Sequence, residues 1–318
     1  MSFFTKFVCG SRKYYAPFSA TSHTRETLGE IARNIINQIN IIKHMKSFLP
    51  LIIIFVSINI TAQGKIEKLK NEVLKEGILL FESESASWYG SDLFFEKFTD
   101  REKIGGYVSY TEGENPKCIF LSKDENPKVI GTVTFEKTFN LKNATTDLTP
   151  REPTQLEKEY FALRVNALKR ISSDTIFKHY KNTNYNLVPI ISNNEKKVYV
   201  ITGSTVNGVV YFGNDYLINF DKKNNVSKTS RLHKGLISVE YGDKEKQIVA
   251  PMHSHIPEYS DIITPTDICT TMLYQKFAGW EKNYVMSRKY ISIWDCSKND
   301  LTIMTMEAWE KIGNEKKE

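Results

Sequence analysis

The amino-acid sequence predicts an α+β fold, in which a mostly antiparallel sheet is flanked by helices. Two observations support this prediction. Residues 154–172 place apolar side chains three and four positions apart, which is typical of an amphipathic helix. Residues 187–252 instead carry short runs of β-branched and aromatic side chains, separated by Gly and Asn. Strands joined by such short turns pair in the antiparallel direction.

The same patterns predict the remaining elements. Further helices are predicted at 64–76, 82–98, 265–280 and 306–312. Strands are predicted at 106–110, 118–121, 129–139, 187–191, 198–202, 209–212, 216–220, 236–241, 247–252, 284–287, 290–295 and 301–304, with 236–241 and 247–252 as a pair.

The domain organisation is predicted from one polar segment. Residues 140–153 are polar and hold two prolines, which favours a linker. The chain would then divide into a small α+β region at 63–150 and a larger domain at 151–318. The sequence leaves open whether the first region is a separate domain or a cap on the second.

Composition excludes a disordered or fibrous chain and gives no sign of nucleic-acid binding. The 318 residues are 41% hydrophobic and 25% charged, as in ordinary globular proteins. The formal net charge is +6, but of the 43 basic and 37 acidic residues, seven and two lie within 1–62. The rest of the chain is therefore nearly neutral, and no nucleic-acid partner is predicted.

The N-terminal region resembles a targeting segment. An apolar run at 48–58 follows two lysines and leads to Ala62. This pattern predicts a secretory signal peptide at 45–62, cleaved near Ala62, and hence a periplasmic or extracellular protein. The run is shorter than the roughly 20 residues of a membrane span, so an uncleaved anchor is the weaker alternative. Residues 1–44 are interpreted as a non-native or disordered extension.

Three cysteines follow the predicted signal peptide: Cys118, Cys269 and Cys296. An odd number argues against a disulfide scaffold. Two alternatives remain open: one disulfide, with Cys269 and Cys296 as the better pair, or three buried free thiols. Cys269 lies among apolar residues of a predicted helix, which favours an inert thiol over a nucleophile.

One group of residues has the composition of a metal site. His253 and His255 end an apolar run, and side chains two apart on a strand share a face. Asp267 opens the following helix, for which Thr264 is the predicted N-cap. Two histidines and an aspartate, with water in a fourth position, form a catalytic zinc site. The alternative is a capping box near two surface histidines.

These residues also resemble a family signature. His253-Ser-His255 followed by Thr264-Pro-Thr-Asp267 is similar to the H-x-H…S-x-x-D motif of the JAB/MPN (JAMM) metallohydrolases, over roughly residues 155–305. The resemblance implies Zn²⁺ on His253, His255 and Asp267, and a hydroxyl from Thr264 that stabilises the oxyanion. It also implies a general base on an early strand, for which Glu195 is the candidate.

The sequence departs from that motif in three places. Thr264 replaces serine, the loop from His255 to Thr264 has eight residues where the family usually has seven, and Ile256 separates the second histidine from a proline. Two other polar residues are predicted to lie outside the site: His233 is expected to be exposed, and Asp215 is expected to be a turn residue.

Two functions of different class follow. The first is a secreted zinc-dependent hydrolase of the peptidase or isopeptidase type, acting on a protein or peptide. The alternative is a non-catalytic extracytoplasmic module that binds a ligand or a protein on the same fold. A carboxylate within hydrogen-bond reach of the reacting water would favour the enzyme.

Overall fold

The computed structural model describes residues 64–243 and 247–315. From Ile66 onward, the described residues form one compact unit. The predicted signal peptide at 45–62, its cleavage near Ala62 and the extension at 1–44 all lie outside the described residues. Within the described part, no helix is long and apolar enough to cross a membrane.

The predicted α+β class is confirmed, with helices surrounding sheets that are mostly antiparallel. The helices are α1 (64–97), α2 (Gln155–Ser173), α3 (Pro265–Ala278) and α4 (Met306–Glu315). The strands are β1 (Ile104–Glu112), β2 (Asn115–Ser122), β3 (Val129–Thr134), β4 (Thr145–Asp147), β5 (Thr183–Ser192), β6 (Glu195–Ser204), β7 (Val209–Gly213), β8 (Tyr216–Phe220), β9 (Val226–Arg231), β10 (Leu236–Glu240), β11 (Met252–Ser254), β12 (Lys282–Met286), β13 (Tyr290–Asp295) and β14 (Asp300–Thr305). The described residues form four sheets, with strand orders β1-β2-β3-β4, β5-β6-β8-β9, β10-β7 and β11-β12-β13-β14.

Helix α1 is continuous where two separate helices were predicted. The intervening residues 77–81 stay helical, and Leu80 is fully buried. A Cβ at Gly77 would lie only 2.7 Å from Ile268, so the glycine allows α1 and α3 to approach closely. The alternation of apolar and polar faces is lost in this part of the helix because it is buried.

The segment at 140–153 joins the first sheet, so its interpretation as a linker was wrong. Its residues Thr145–Asp147 form β4, which pairs with β3. Arg151 adds an isolated bridge to Val129. A polar composition suits an edge strand as readily as a linker, because an edge strand faces solvent.

The central sheet, β5-β6-β8-β9, is covered on both faces. Val198 and Val200 of β6 pack with Leu163 of α2. Tyr199 and Ile201, which alternate with them along the strand, pack towards α1 and α3. Burial on both faces fixes the register of β6, whose C-terminal end lies beside the candidate site described below.

Strand pairing near the site differs from the prediction. β10 pairs with β7, and residues 247–251 form no strand. β11 begins only at Met252 and pairs in parallel with β12. A local pattern identifies a strand but not its partner, since pairing between distant segments is decided by tertiary packing.

All three described cysteines are free and buried, so the alternative of three buried thiols is the one observed. Burial raises the pKa of the Cys269 thiol well above its ordinary value. The structure therefore agrees with an inert thiol at this position.

A buried ion pair at the start of α2 leads to a prediction about acid stability. Glu157 accepts two hydrogen bonds from Arg151, at 2.7 and 2.8 Å, and one from Tyr110 at 2.8 Å. Burial raises the pKa of the Glu157 carboxyl, but these bonds outweigh it and hold the pKa at about 2. A depressed carboxyl pKa stabilises the fold above the unfolded pKa, and this stabilisation is lost as pH falls towards 2.

Glu157→Gln is expected to lower the free energy of unfolding by about 2–3 kcal/mol at pH 7. This is less than the pKa shift of Glu157 alone would give, because Arg151 is partly exposed and solvent screens the ion pair. The difference from wild type should shrink as the pH falls from about 5 towards 2. Urea unfolding at pH 7 and pH 3 measures both effects. Glu159→Gln, which removes a more exposed carboxylate paired with Lys196, is the matched control and should cost below about 1 kcal/mol. A loss that does not change with pH would contradict this account.

Candidate metal centre

Three histidines and one aspartate converge in the interior of the protein. His253 lies on β11 and His255 directly follows that strand. His233 comes from the loop between β9 and β10, and Asp267 lies in the first turn of α3. All four side chains are buried, and none is more than 8% exposed.

The Asp267 carboxylate is the centre of this cluster. Its Oδ1 lies 3.3 Å from Nε2 of His233 and 3.3 Å from Nε2 of His253. Its Oδ2 lies 3.3 Å from Nε2 of His255. The ligand atoms of His233, His255 and Asp267 all lie within 4.8 Å of one another, so this group could hold a metal ion.

Local structure explains how these side chains meet. His253 and His255 are two residues apart in extended backbone, where side chains share a face. The backbone N–H of His255 donates to the Met286 carbonyl at 2.7 Å, which continues the pairing of β11 with β12. Asp267 is held by a capping box, in which its Oδ2 accepts from the Thr264 N–H at 2.8 Å.

Further contacts orient two of the imidazoles. Nδ1 of His255 donates to the Ile262 carbonyl at 2.9 Å, because a carbonyl oxygen can only accept. Nδ1 of His233 lies 3.4 Å from Oδ2 of Asp215 but makes no hydrogen bond among the described residues, and Asp215 Oδ1 accepts from the Thr202 N–H at 2.8 Å. Both rings present Nε2 to the cluster, and the hydrogen bond from His255 Nδ1 to a carbonyl is the usual way in which a metal-binding histidine is oriented.

The electrostatics of the cluster suit a cation. Burial raises the pKa of Asp267, but the three imidazoles outweigh it and hold that pKa well below its ordinary value. Burial lowers the pKa of His233, but Asp267 and Asp215 raise it above its ordinary value. Asp267 Oδ1 is buried and has no hydrogen-bond partner among the described residues. An oxygen placed in this way among imidazole nitrogens matches the ligand chemistry of zinc and related divalent ions.

The structure brings together the three ligands predicted from the sequence, His253, His255 and Asp267. Thr264 is also present, but its hydroxyl donates to Asp267 Oδ2 at 2.6 Å. The observed contact makes Thr264 a residue that positions the carboxylate. Its predicted role at an oxyanion has no contact to support it.

Glu195 does not lie at the cluster, which corrects the role expected for it. Its side chain is 70% exposed at the β5–β6 turn, 3.4 Å from Lys197. Thr202, which contacts Asp215 beside the cluster, is seven residues further along β6. At a rise of about 3.3 Å per residue, this places Glu195 roughly 23 Å away along the strand.

His233 and Asp215 are the residues that sequence reasoning missed. His233 was expected to be exposed and Asp215 to be a turn residue, yet their side chains are only 6% and 3% exposed. Burial raises the pKa of Asp215 to about 6, although the neighbouring His233 lowers it. The polar neighbours Arg231 and Lys234 do not indicate a buried histidine. The pairing of β9 with β8 and of β10 with β7 brings this loop to the site.

A cavity of about 200 Å³ opens onto the histidines. His233, His253 and His255 line it, and the remaining walls are mainly apolar, formed by Phe212, Leu232, Leu236, Ile237, Ile256 and Tyr259. The Phe212 ring stacks on His253 with centroids 5.2 Å apart. No Asp or Glu is among the described residues that line this cavity. A small molecule or an apolar side chain could therefore reach the imidazoles.

Comparison of the chain with protein-family models, with curated proteins and with solved structures gave no match. The function must therefore be inferred from the site itself.

Proposed function

We propose that the protein is a metal-dependent hydrolase, with Zn²⁺ held by His233, His255 and Asp267. The observation that supports this most is the convergence of imidazole Nε2 atoms on a buried carboxylate beside an open cavity. The apolar walls of that cavity suit a side chain of a peptide substrate, so a peptide or isopeptide bond is the proposed target. With the signal peptide predicted from the sequence, the proposed activity would take place outside the cytoplasm.

Each residue of the cluster has a distinct part in the proposed reaction. Zn²⁺ would supply a Lewis acid that lowers the pKa of a water molecule to about 7 and polarises a carbonyl group. Asp267, His233 and His255 would hold the ion, the Ile262 carbonyl orients His255, and the Asp215 carboxylate lies 3.4 Å from Nδ1 of His233. His253 also lines the cavity, and it is the proposed group that would accept a proton from the attacking water.

A second candidate function is a non-catalytic module with a structural metal. His253 Nε2 lies 3.3 Å from Asp267 Oδ1, the same distance as His233 Nε2. If His253 is a fourth ligand, the coordination is closed, and closed four-ligand sites are structural. The part played by His253 therefore distinguishes the two functions.

The experiment uses the full chain loaded with zinc and a mixture of peptides, including lysine-linked isopeptides, in ¹⁸O-labelled water. Mass spectrometry is expected to find cleavage with one ¹⁸O in each new carboxyl group. Chelation should abolish this cleavage and added zinc should restore it. The zinc-loaded His253→Ala protein is expected to cleave at least about 100-fold more slowly, the usual scale of a lost general base. A chain that binds zinc but cleaves no faster than its metal-free form would favour the structural module.

A further inference from the structure

A second cavity, of about 340 Å³, lies between α1, α3 and the β5–β6–β7 region. It shares no described lining residue with the cavity at the histidines. Strand β7 separates the two: Tyr211 lines the second cavity, while its neighbour Phe212 stacks on His253. Its volume is within the range of small-molecule sites, which is about 300–1,000 Å³.

The charged groups that line this cavity are all acidic. Glu84 and Asp92 contribute carboxyl groups, and none of the described lining residues is Lys or Arg. The Glu84 side chain is only 7% exposed. Burial raises the pKa of Glu84 to about 7, although Arg164 and a hydrogen bond from Asn186 act in the opposite direction. A buried carboxyl group facing a cavity without basic residues favours a cationic ligand over an anionic one.

Four aromatic residues lie among the serine, threonine and asparagine residues on the rest of the wall. Trp88, Tyr107, Tyr211 and Tyr274 all line the cavity. The Trp88 indole is 41% exposed, and its ring lies 5.8 Å from that of Tyr274 at an angle of 51°. Arg164 covers the Tyr107 ring at 4.3 Å, without itself lining the cavity. Aromatic faces next to a carboxylate are the common recognition pattern for substituted ammonium ions.

We propose that this cavity binds a small organic ammonium compound, with its cationic nitrogen between Glu84 and the rings of Trp88 and Tyr274. The Asn186 amide lies near the Glu84 carboxyl group and lowers its pKa, and both side chains line the cavity. Gly203 leaves room for this amide, because a Cβ at Gly203 would lie 3.1 Å from Asn186 Nδ2. The site is independent of the metal centre and of the proposed hydrolysis.

Isothermal titration calorimetry of the full chain with choline tests this proposal directly. The comparison ligand is 3,3-dimethylbutan-1-ol, which has the shape of choline without its charge. Choline is expected to bind at least about tenfold more tightly than the alcohol, because only the cation interacts with the carboxylate and the ring faces. Methyl glucoside serves as the probe for a neutral sugar site.

Variants assign the effect to named side chains. Glu84→Gln is expected to weaken choline binding at least about tenfold, and Trp88→Ala, at a partly exposed position, should weaken it as well. Glu82→Gln is the matched control, because Glu82 is a buried carboxyl on the same helix that accepts from Thr111 and does not line the cavity. Equal affinity for choline and the alcohol, binding of methyl glucoside instead of choline, or no binding of choline by the wild-type chain would each overturn the proposal. Unchanged choline binding by folded Glu84→Gln and Trp88→Ala proteins would do the same.

Discussion

Replacing Asp267 by asparagine is expected to weaken zinc binding by more than about 100-fold, since the loss of a supporting residue alone costs about 10–100-fold. Asp267 contacts all three imidazoles of the cluster and is the one carboxylate at their centre among the described residues. Asparagine keeps an oxygen that can accept from the Thr264 N–H, so the helix cap can persist while the charge is removed. Competition with a chromophoric chelator measures the affinity.

Thermal unfolding gives an independent readout of the same substitution. A ligand that binds only the folded state stabilises it by about 4 kcal/mol at a thousandfold excess over its Kd. Zinc should therefore raise the Tm of the wild-type chain but leave that of the Asp267→Asn protein unchanged. Asp221→Asn is the matched control, because Asp221 is an exposed aspartate whose Oδ1 also accepts backbone N–H bonds. Equal zinc affinity in the two variants would contradict the assignment of Asp267.

Replacing His233 and His253 separately by alanine is expected to have different effects on zinc binding. His233→Ala should lose zinc, again by more than about 100-fold in affinity, because a ligand is removed. His253→Ala should keep zinc and lose hydrolysis, because this imidazole is proposed to move a proton at the cavity. His179→Ala, at an exposed position beside Tyr185, is the control that should change neither property.

The comparison of these two variants also decides between the proposed functions. Loss of zinc in both His233→Ala and His253→Ala proteins would indicate a closed four-ligand site and the structural module. Retention of zinc by the His233→Ala protein would contradict the ligand set inferred from the structure. It would favour the set predicted from the sequence, His253, His255 and Asp267.

Local sequence patterns were sufficient for most of the individual elements. The apolar spacing of residues 154–172 corresponds to α2, and the capping signal at Thr264 corresponds to the start of α3. The prediction was wrong where long-range packing decides the outcome. Residues 77–81 stay helical because α1 packs closely against α3, and β10 pairs with β7 instead of with residues 247–252. Neither choice is determined by neighbouring residues in the chain.

Some residues of the candidate site could be predicted from local patterns, and others could not. His253, His255 and Asp267 are placed together by short-range rules, the alternation of a strand and the N3 position of a capping box. His233 and Asp215 reach the cluster through the packing of loops beside β10 and β8. The residues next to them in the sequence therefore do not predict that they lie at the site. Glu195 was chosen from a resemblance in spacing, and its position at a hairpin turn places it at the opposite end of β6.

The most direct test of the metal centre is the zinc content of the full wild-type chain after equilibrium dialysis against micromolar zinc at neutral pH. Elemental mass spectrometry is expected to find about one zinc ion per chain, as for a single site of imidazole and carboxylate ligands. A zinc content no higher than that of the Asp267→Asn protein would contradict the account. The converging histidines and aspartate would then be a buried hydrogen-bonded cluster without a metal.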